Sequence, residues 1–167
     1  MSKIIVAESA GFCFGVNRAI NILYKLIDEN KPACTLGPII HNMQMVNELR
    51  EKGVRTIDKI SEAKENETIV IRSHGVPQSI VDEINERHLD YIDATCPFVS
   101  KIHKIVSETD DDSIVIIAGD KNHPEVQSIM GHCKSKCYTF KNQEELQELF
   151  SIIPQKNYKT IKIVAQT

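Results

Sequence analysis

The chain has no tryptophan, and aromatic residues make up only 5% of its 167 positions. That leaves little for a stacking platform of the kind that binds single-stranded bases. Net charge is −3, with lysine and arginine scattered along the chain, whereas a nucleic-acid surface is normally a basic stripe. No apolar run is long enough for a membrane span or a signal-peptide core. These absences point to a soluble intracellular protein with neither nucleic acid nor membrane as partner. Also lacking are a Cys-x-x-Cys pair, which disfavours a zinc ribbon, and a G-x-G-x-x-G fingerprint for a dinucleotide. Without closely spaced carboxylates to hold Mg²⁺, a metal-dependent phosphohydrolase is disfavoured too. No Gly/Ser linker or low-complexity segment marks a domain boundary.

What is present is an alternation. Apolar stretches with strand character at Lys3–Ala7, Ala33–Leu36, Thr68–Arg72, Tyr91–Ile92, Ser113–Ala118 and Lys159–Ala165 are separated by segments of helical periodicity. Shorter strands are expected at Val54–Ile57 and Tyr138–Phe140, and the polar run Glu62 to Glu67 reads as surface connection. Strand–helix alternation predicts an α/β fold with parallel sheets and right-handed crossovers. The last apolar strand is followed only by Gln166-Thr167. A junction and a covering helix are expected there, so the chain reads as truncated or as a fragment.

Five cysteines fit a disulfide framework poorly in such a chain and are expected to be reduced thiols or metal ligands. Two stand between a strand pattern and a helix pattern: Cys13 in Ala10-Gly11-Phe12-Cys13-Phe14-Gly15, and Cys96 before Pro97. Proline suits a first helical turn. A helix N-terminus favours a thiolate through its dipole and free amides, although a cysteine there also serves as a small buried hydrophobe. Cys34 reads as packing. The stretch His132-Cys133-Lys134-Ser135-Lys136-Cys137 offers three candidate zinc donors.

Histidines recur at the same kind of junction: His41 after Gly37-Pro38, His74 before Gly75, and His123 with Glu125 beside Pro124. His88, His103 and His132 read instead as surface or core. Histidines beside helix N-termini, with glycines allowing close approach of the backbone, form an anion pocket suited to a phosphate or diphosphate.

These stretches, with Arg72-Ser73-His74-Gly75-Val76, Asp93-Ala94-Thr95-Cys96-Pro97 and His123-Pro124-Glu125-Val126 in this order over nearly the whole chain, resemble the LytB-type 4-hydroxy-3-methylbut-2-enyl diphosphate reductase family. The resemblance implies α/β lobes in a three-lobe, trefoil-like architecture around an iron–sulfur cluster. It implies a first lobe over residues 1–96 and a second over 97–167, with the third lobe outside this chain. Cys13 and Cys96 would be two of three thiolate ligands of a [4Fe–4S] cluster, the third lying beyond the chain. His41, His74, His123 and Thr167 would hold an allylic diphosphate, and Glu125 would deliver protons. The implied reaction is the reductive dehydroxylation that ends the methylerythritol phosphate route to isoprenoids. It takes place in the cytoplasm, with an electron donor such as flavodoxin or ferredoxin. Read without the resemblance, a glutamate after Pro124 serves the helix dipole. The constellation also allows a non-redox diphosphate-binding module in which Cys13 and Cys96 merely pack.

Overall fold

Seven strands and six helices alternate through the computed structural model, which describes residues 3–8, 10–154 and 157–167. Four strands, β1 (Ala33–Leu36), β2 (Arg55–Ile57), β3 (Thr68–Ile71) and β4 (Tyr91–Asp93), form one sheet in the order β2-β1-β3-β4. Three more, β5 (Ser113–Ala118), β6 (Lys136–Phe140) and β7 (Thr160–Ala165), form a second in the order β6-β5-β7. Every pairing in both sheets is parallel, as helical crossovers require.

Helices α1 (Phe14–Asp28), α2 (Met43–Glu51) and α3 (Gln78–Glu86) accompany the first sheet, and α4 (Pro97–Ser107), α5 (Pro124–His132) and α6 (Gln143–Ile152) the second. The central strands are apolar on both faces because helices cover both. All four residues of β1 are buried, as are five consecutive residues of β5. Val115 and Ile117 face a core with Val106, Val126 and Ile129, while Ile114 and Ile116 face Leu149, as the two-residue period of a strand dictates. In the first sheet, Ala19, Leu23 and Leu49 pack on one side and Ile57, Ile69 and Ile84 on the other. Because α4 packs through Ile102, Ile105 and Val106 into the second sheet's core, the chain passes from one sheet to the other at Cys96-Pro97.

Helix boundaries follow local chemistry. Asn42 and Asn142 cap α2 and α6 by accepting from the amides of Met45 and Glu145. Pro97 and Pro124 open α4 and α5, and Gly53, with φ +95°, follows α2 in the left-handed conformation that ends helices.

Three expectations from the sequence need correction. Lys3–Ala7 is not a strand: Ile4, Ile5 and Val6 are 89%, 77% and 75% exposed. Strand-like composition does not suffice without a partner, and the segment pairs with neither sheet. The run Glu62 to Glu67 is not wholly surface. Glu67 is buried, and its carboxylate accepts from Arg55 Nη1 at 2.9 and 2.7 Å and from the Lys64 amide at 3.0 Å. β6 begins at Lys136, two residues before the expected start. Among the described residues, no helix is long and apolar enough to cross a membrane.

Candidate functional site

Each sheet has one place where successive connections leave in opposite directions, and at such a switch point the loops diverge to leave a crevice at the strands' carboxyl ends. In the first sheet this lies between β1 and β3, and in the second between β5 and β7. The loop after β1 carries His41 and the loop after β3 carries His74. The loop after β5 leads to His123 and Glu125, and β7 leads to Thr167. Both crevices open on the same spot. Ring centroids of His41 and His74 are 4.7 Å apart, those of His74 and His123 5.5 Å, and those of His41 and His123 5.7 Å. One ring nitrogen from each lies within 4.8 Å of the other two.

Glycine at 75 is what brings the His74 loop down. Its φ is +74°, and a Cβ there would meet His103 Cε1 at 2.6 Å and Ser128 Oγ at 2.7 Å. Those two side chains, from α4 and α5, hydrogen-bond to each other at 2.9 Å and form a floor beneath the loop. His132 stacks on His103 with ring centroids 4.0 Å apart and meets the Val76 carbonyl at 3.0 Å. Helices of the second sheet thus hold a loop of the first.

The histidine cluster is electrically unusual. Burial first, then the neighbouring His41, Arg72 and His123, push His74 down to about 4, so its ring is neutral near pH 7 in the absence of an anion. His74 Nδ1 and Arg72 Nε are both buried without a hydrogen-bond partner among the described residues. His123 caps α5, its Nδ1 accepting from the Glu125 amide at 3.2 Å. With Nδ1 used as an acceptor, the ring presents Nε2 to a ligand. Such a set of N–H groups, backed by a partly buried guanidinium, suits an oxyanion.

Glu125 is 4% exposed in the first turn of α5. Its Oε1 accepts from the Thr167 amide at 2.7 Å and the Thr167 hydroxyl at 2.9 Å, and Oε2 lies 3.0 Å from the same hydroxyl. The contact bridges the second switch point, tying the end of β7 to the start of α5. Next to it, the Gln166 side chain accepts from the Asp120 amide at 3.3 Å.

The helix starts that carry the two junction cysteines also come together. Cys13 is the N-cap of α1 and Cys96 that of α4. A Cβ on Gly15, two residues after Cys13, would lie 2.7 Å from Cys96 Sγ, so only glycine lets α1 approach that sulfur. One turn along α1, Arg18 donates to the carbonyls of Thr95 and Asp93 at 3.2 and 3.1 Å, pinning the two helix starts together. Cys13 is exposed and Cys96 half-buried, and Phe14 and Phe98 flank them, each 66% exposed. Two thiols at converging helix N-termini fit a thiolate-ligated iron–sulfur group, whose negative charge the amides favour. Phe12, Val16, Ile40, His41 and His74 help to line an apolar cavity of about 280 Å³, bordered by two of the histidines and by the residue before Cys13.

The remaining thiols lie elsewhere. Cys34 is buried in β1, and burial first, then the Glu67 charge, pushes it up to about 11. Cys133 and Cys137 pack on the second sheet's core. The zinc donor set considered for that stretch does not form, because His132 is committed to His103 and Val76. Among the described residues, the one group of three or more candidate metal donors is His41, His74 and His123. Sequence reasoning missed Arg18, Arg72 and the His103–Ser128 floor. Only the periodic burial of His103 on α4 hinted at the last.

A family profile described as "LytB protein" matches residues 4–167. A 4-hydroxy-3-methylbut-2-enyl diphosphate reductase of Clostridioides difficile is 40% identical over 167 residues, covering 99% of this chain and 58% of the relative. A protein of the same name from Alkaliphilus oremlandii is 39% identical over 150 residues, covering 88% and 53%. A solved structure of (E)-4-hydroxy-3-methyl-but-2-enyl diphosphate reductase matches 100% of this chain and 59% of its own, with TM-score 0.80 and 40% identity. The Plasmodium falciparum E-1-hydroxy-2-methyl-but-2-enyl-4-diphosphate reductase matches 96% and 50%, with TM-score 0.82 and 25% identity. The chain thus spans just over half the length of the curated relatives it matches.

Proposed function

The chain belongs to the LytB protein family, and from that premise we propose that it forms two lobes, residues 1–96 and 97–167, of a 4-hydroxy-3-methylbut-2-enyl diphosphate reductase. The reaction is removal of the substrate's allylic hydroxyl by two-electron reduction, giving isopentenyl and dimethylallyl diphosphate. The protein works in the cytoplasm and takes electrons from a carrier such as flavodoxin or ferredoxin. One observation carries the reading: three histidines from both sheets' switch points bring one ring nitrogen each within 4.8 Å of the other two, and His41 and His74 among them line the apolar cavity beside Phe12.

In this reading Cys13 and Cys96 are two of three thiolates that hold a [4Fe–4S] cluster, and a third lobe supplies the other. When bound, the cluster supplies the electrons and a Lewis-acidic iron for the departing hydroxyl. The chain's own residues do the rest. His41, His74 and His123 donate N–H groups to the diphosphate, with the Arg72 charge behind them. The apolar cavity takes the five-carbon chain and excludes water. Glu125 holds the proton that leaves with the hydroxyl, and Thr167, hydrogen-bonded to that carboxyl, orients the group it serves. With two of three ligands, the 167 residues alone turn over slowly.

Anaerobic reconstitution with iron and sulfide, followed by iron analysis and titration with inorganic diphosphate, tests the assignment. Cys13→Ser should lose most of the iron and keep diphosphate affinity, whereas His74→Ala should keep iron and lose about tenfold or more in diphosphate affinity. Iron that is unchanged in Cys13→Ser and Cys96→Ser, with diphosphate still bound, would instead support the non-redox binding module.

A further inference from the structure

The search outside the site ends at the far end of α5. The helix that starts with His123 and Glu125 finishes at Cys133, its C-cap, and after a bend at Lys134 and Ser135 the chain enters β6, whose second residue is Cys137. Both sulfurs pack on the second sheet's core beside Val115 and Ile129. The Cys133 thiol donates to the Ile129 carbonyl at 3.4 Å, and Cys137 is its near neighbour on the same core. Neither cysteine belongs to the constellation described above, and with His132 turned to Val76 the pair lacks the further donors that zinc needs.

We propose that Cys133 and Cys137 form a redox-active dithiol that closes to an intramolecular disulfide by exchange with a low-molecular-weight disulfide. The geometry supplies three requirements. The partners are separated by three intervening residues around a bend, so closing the loop costs little chain entropy. Both side chains are half-buried, leaving a path for a small reagent. And the thiols are neighbours on one core, which orders them unequally: the adjacent Cys133 pulls Cys137 below an ordinary thiol, and Cys137, with burial, pushes Cys133 up. Cys137 is therefore the attacking sulfur and Cys133 the resolving one.

The exchange balances in two steps. The Cys137 thiolate attacks one sulfur of the reagent, breaking its S–S bond, forming a mixed disulfide and expelling one thiolate. Cys133 then loses its proton to the expelled thiolate and displaces the second, forming the Cys133–Cys137 bond. Two electrons pass from the protein to the reagent, which leaves as two thiols with the two protons.

The test is anaerobic incubation of the whole chain in oxidised and reduced glutathione at graded ratios, then acid quench, alkylation and peptide mapping. An internal Cys133–Cys137 disulfide should replace both free thiols together, with no stable glutathione adduct on either. Cys133→Ser should trap glutathione on Cys137, whereas Cys137→Ser should leave Cys133 at least tenfold slower to modify. Independent alkylation of both thiols at every ratio would overturn the proposal. So would glutathione held on Cys137 in the unaltered chain, or zinc bound by the two thiols. The map of the unaltered chain decides the matter even if a variant fails to fold, and it reads Cys13 and Cys96 separately.

Discussion

Gly75 offers a stringent check on how the two sheets meet. Replacing it with alanine puts a Cβ on a residue at φ +74°, which costs about 1–2 kcal/mol for an L side chain in the left-handed region. The added atom would also lie 2.6 Å from His103 Cε1 and 2.7 Å from Ser128 Oγ. Neither is the loose end of a flexible chain: Ser128 is 0% and His103 9% exposed, and the two are bonded to each other at 2.9 Å. Relief requires the loop to lift or the pair to separate, an overpacking cost of about 1–3 kcal/mol with a lost buried hydrogen bond of about 1 kcal/mol. Gly75→Ala should therefore cost about 3–6 kcal/mol. Gly53→Ala is the control, because Gly53 has φ +95° and nothing within 4 Å of its built Cβ, leaving only the backbone penalty. Urea unfolding of both variants beside the parent, followed by circular dichroism, measures the difference. A Gly75→Ala loss no larger than that of Gly53→Ala would refute the close contact between the His74 loop and the α4–α5 floor.

Two further predictions concern buried charge. Burial first, then the neighbouring His132, push His103 down to about 4, while an unfolded histidine sits near 6.5. Between those values the unfolded chain binds more protons, so stability falls as pH drops from about 6.5 to about 4. His103→Gln, which keeps a partner for Ser128 but cannot titrate, should flatten that dependence in denaturant melts at graded pH. An equally steep curve would locate the effect elsewhere. Glu67 sits below its usual range although burial opposes its charge, because the Lys64 amide and Arg55 outweigh that cost. Its contribution is present above about 4.5 and lost as pH falls through the lower folded value. Glu67→Gln should cost about 1–2 kcal/mol at pH 7, a deficit that shrinks as pH falls below 4.5, and a deficit that stays constant through the acid range would contradict the assignment.

The architecture was legible in the sequence wherever a segment carried its own signal. Continuous apolar runs such as Ser113–Ala118 became central strands, and Pro97, Pro124, Asn42 and Asn142 stood where helices begin. Lys3–Ala7 had the same composition and failed, because strand formation depends on a neighbour that local sequence does not specify. Glu67 misled for a related reason: a charge in a polar run looks solvated until a distant Arg55 from β2 arrives to pair with it. The junction positions of His41, His74 and His123 were readable one at a time. That they could share one anion pocket followed from their common place at strand–helix junctions. The spacing of the three rings did not, since it depends on strand order in two sheets.

The proposed function gives His74 a particular part in anion binding. Burial first, then His41, Arg72 and His123, hold this ring well below an ordinary imidazole, so it is uncharged when the site is empty. In the proposed complex an arriving diphosphate reverses that balance. Its charge would favour protonation of His74, and its oxygens would meet His74 Nδ1 and Arg72 Nε, which lack partners among the described residues. Part of the positive charge that holds the ligand would thus be assembled only as the ligand binds, on a ring that carries no buried charge in the empty fold.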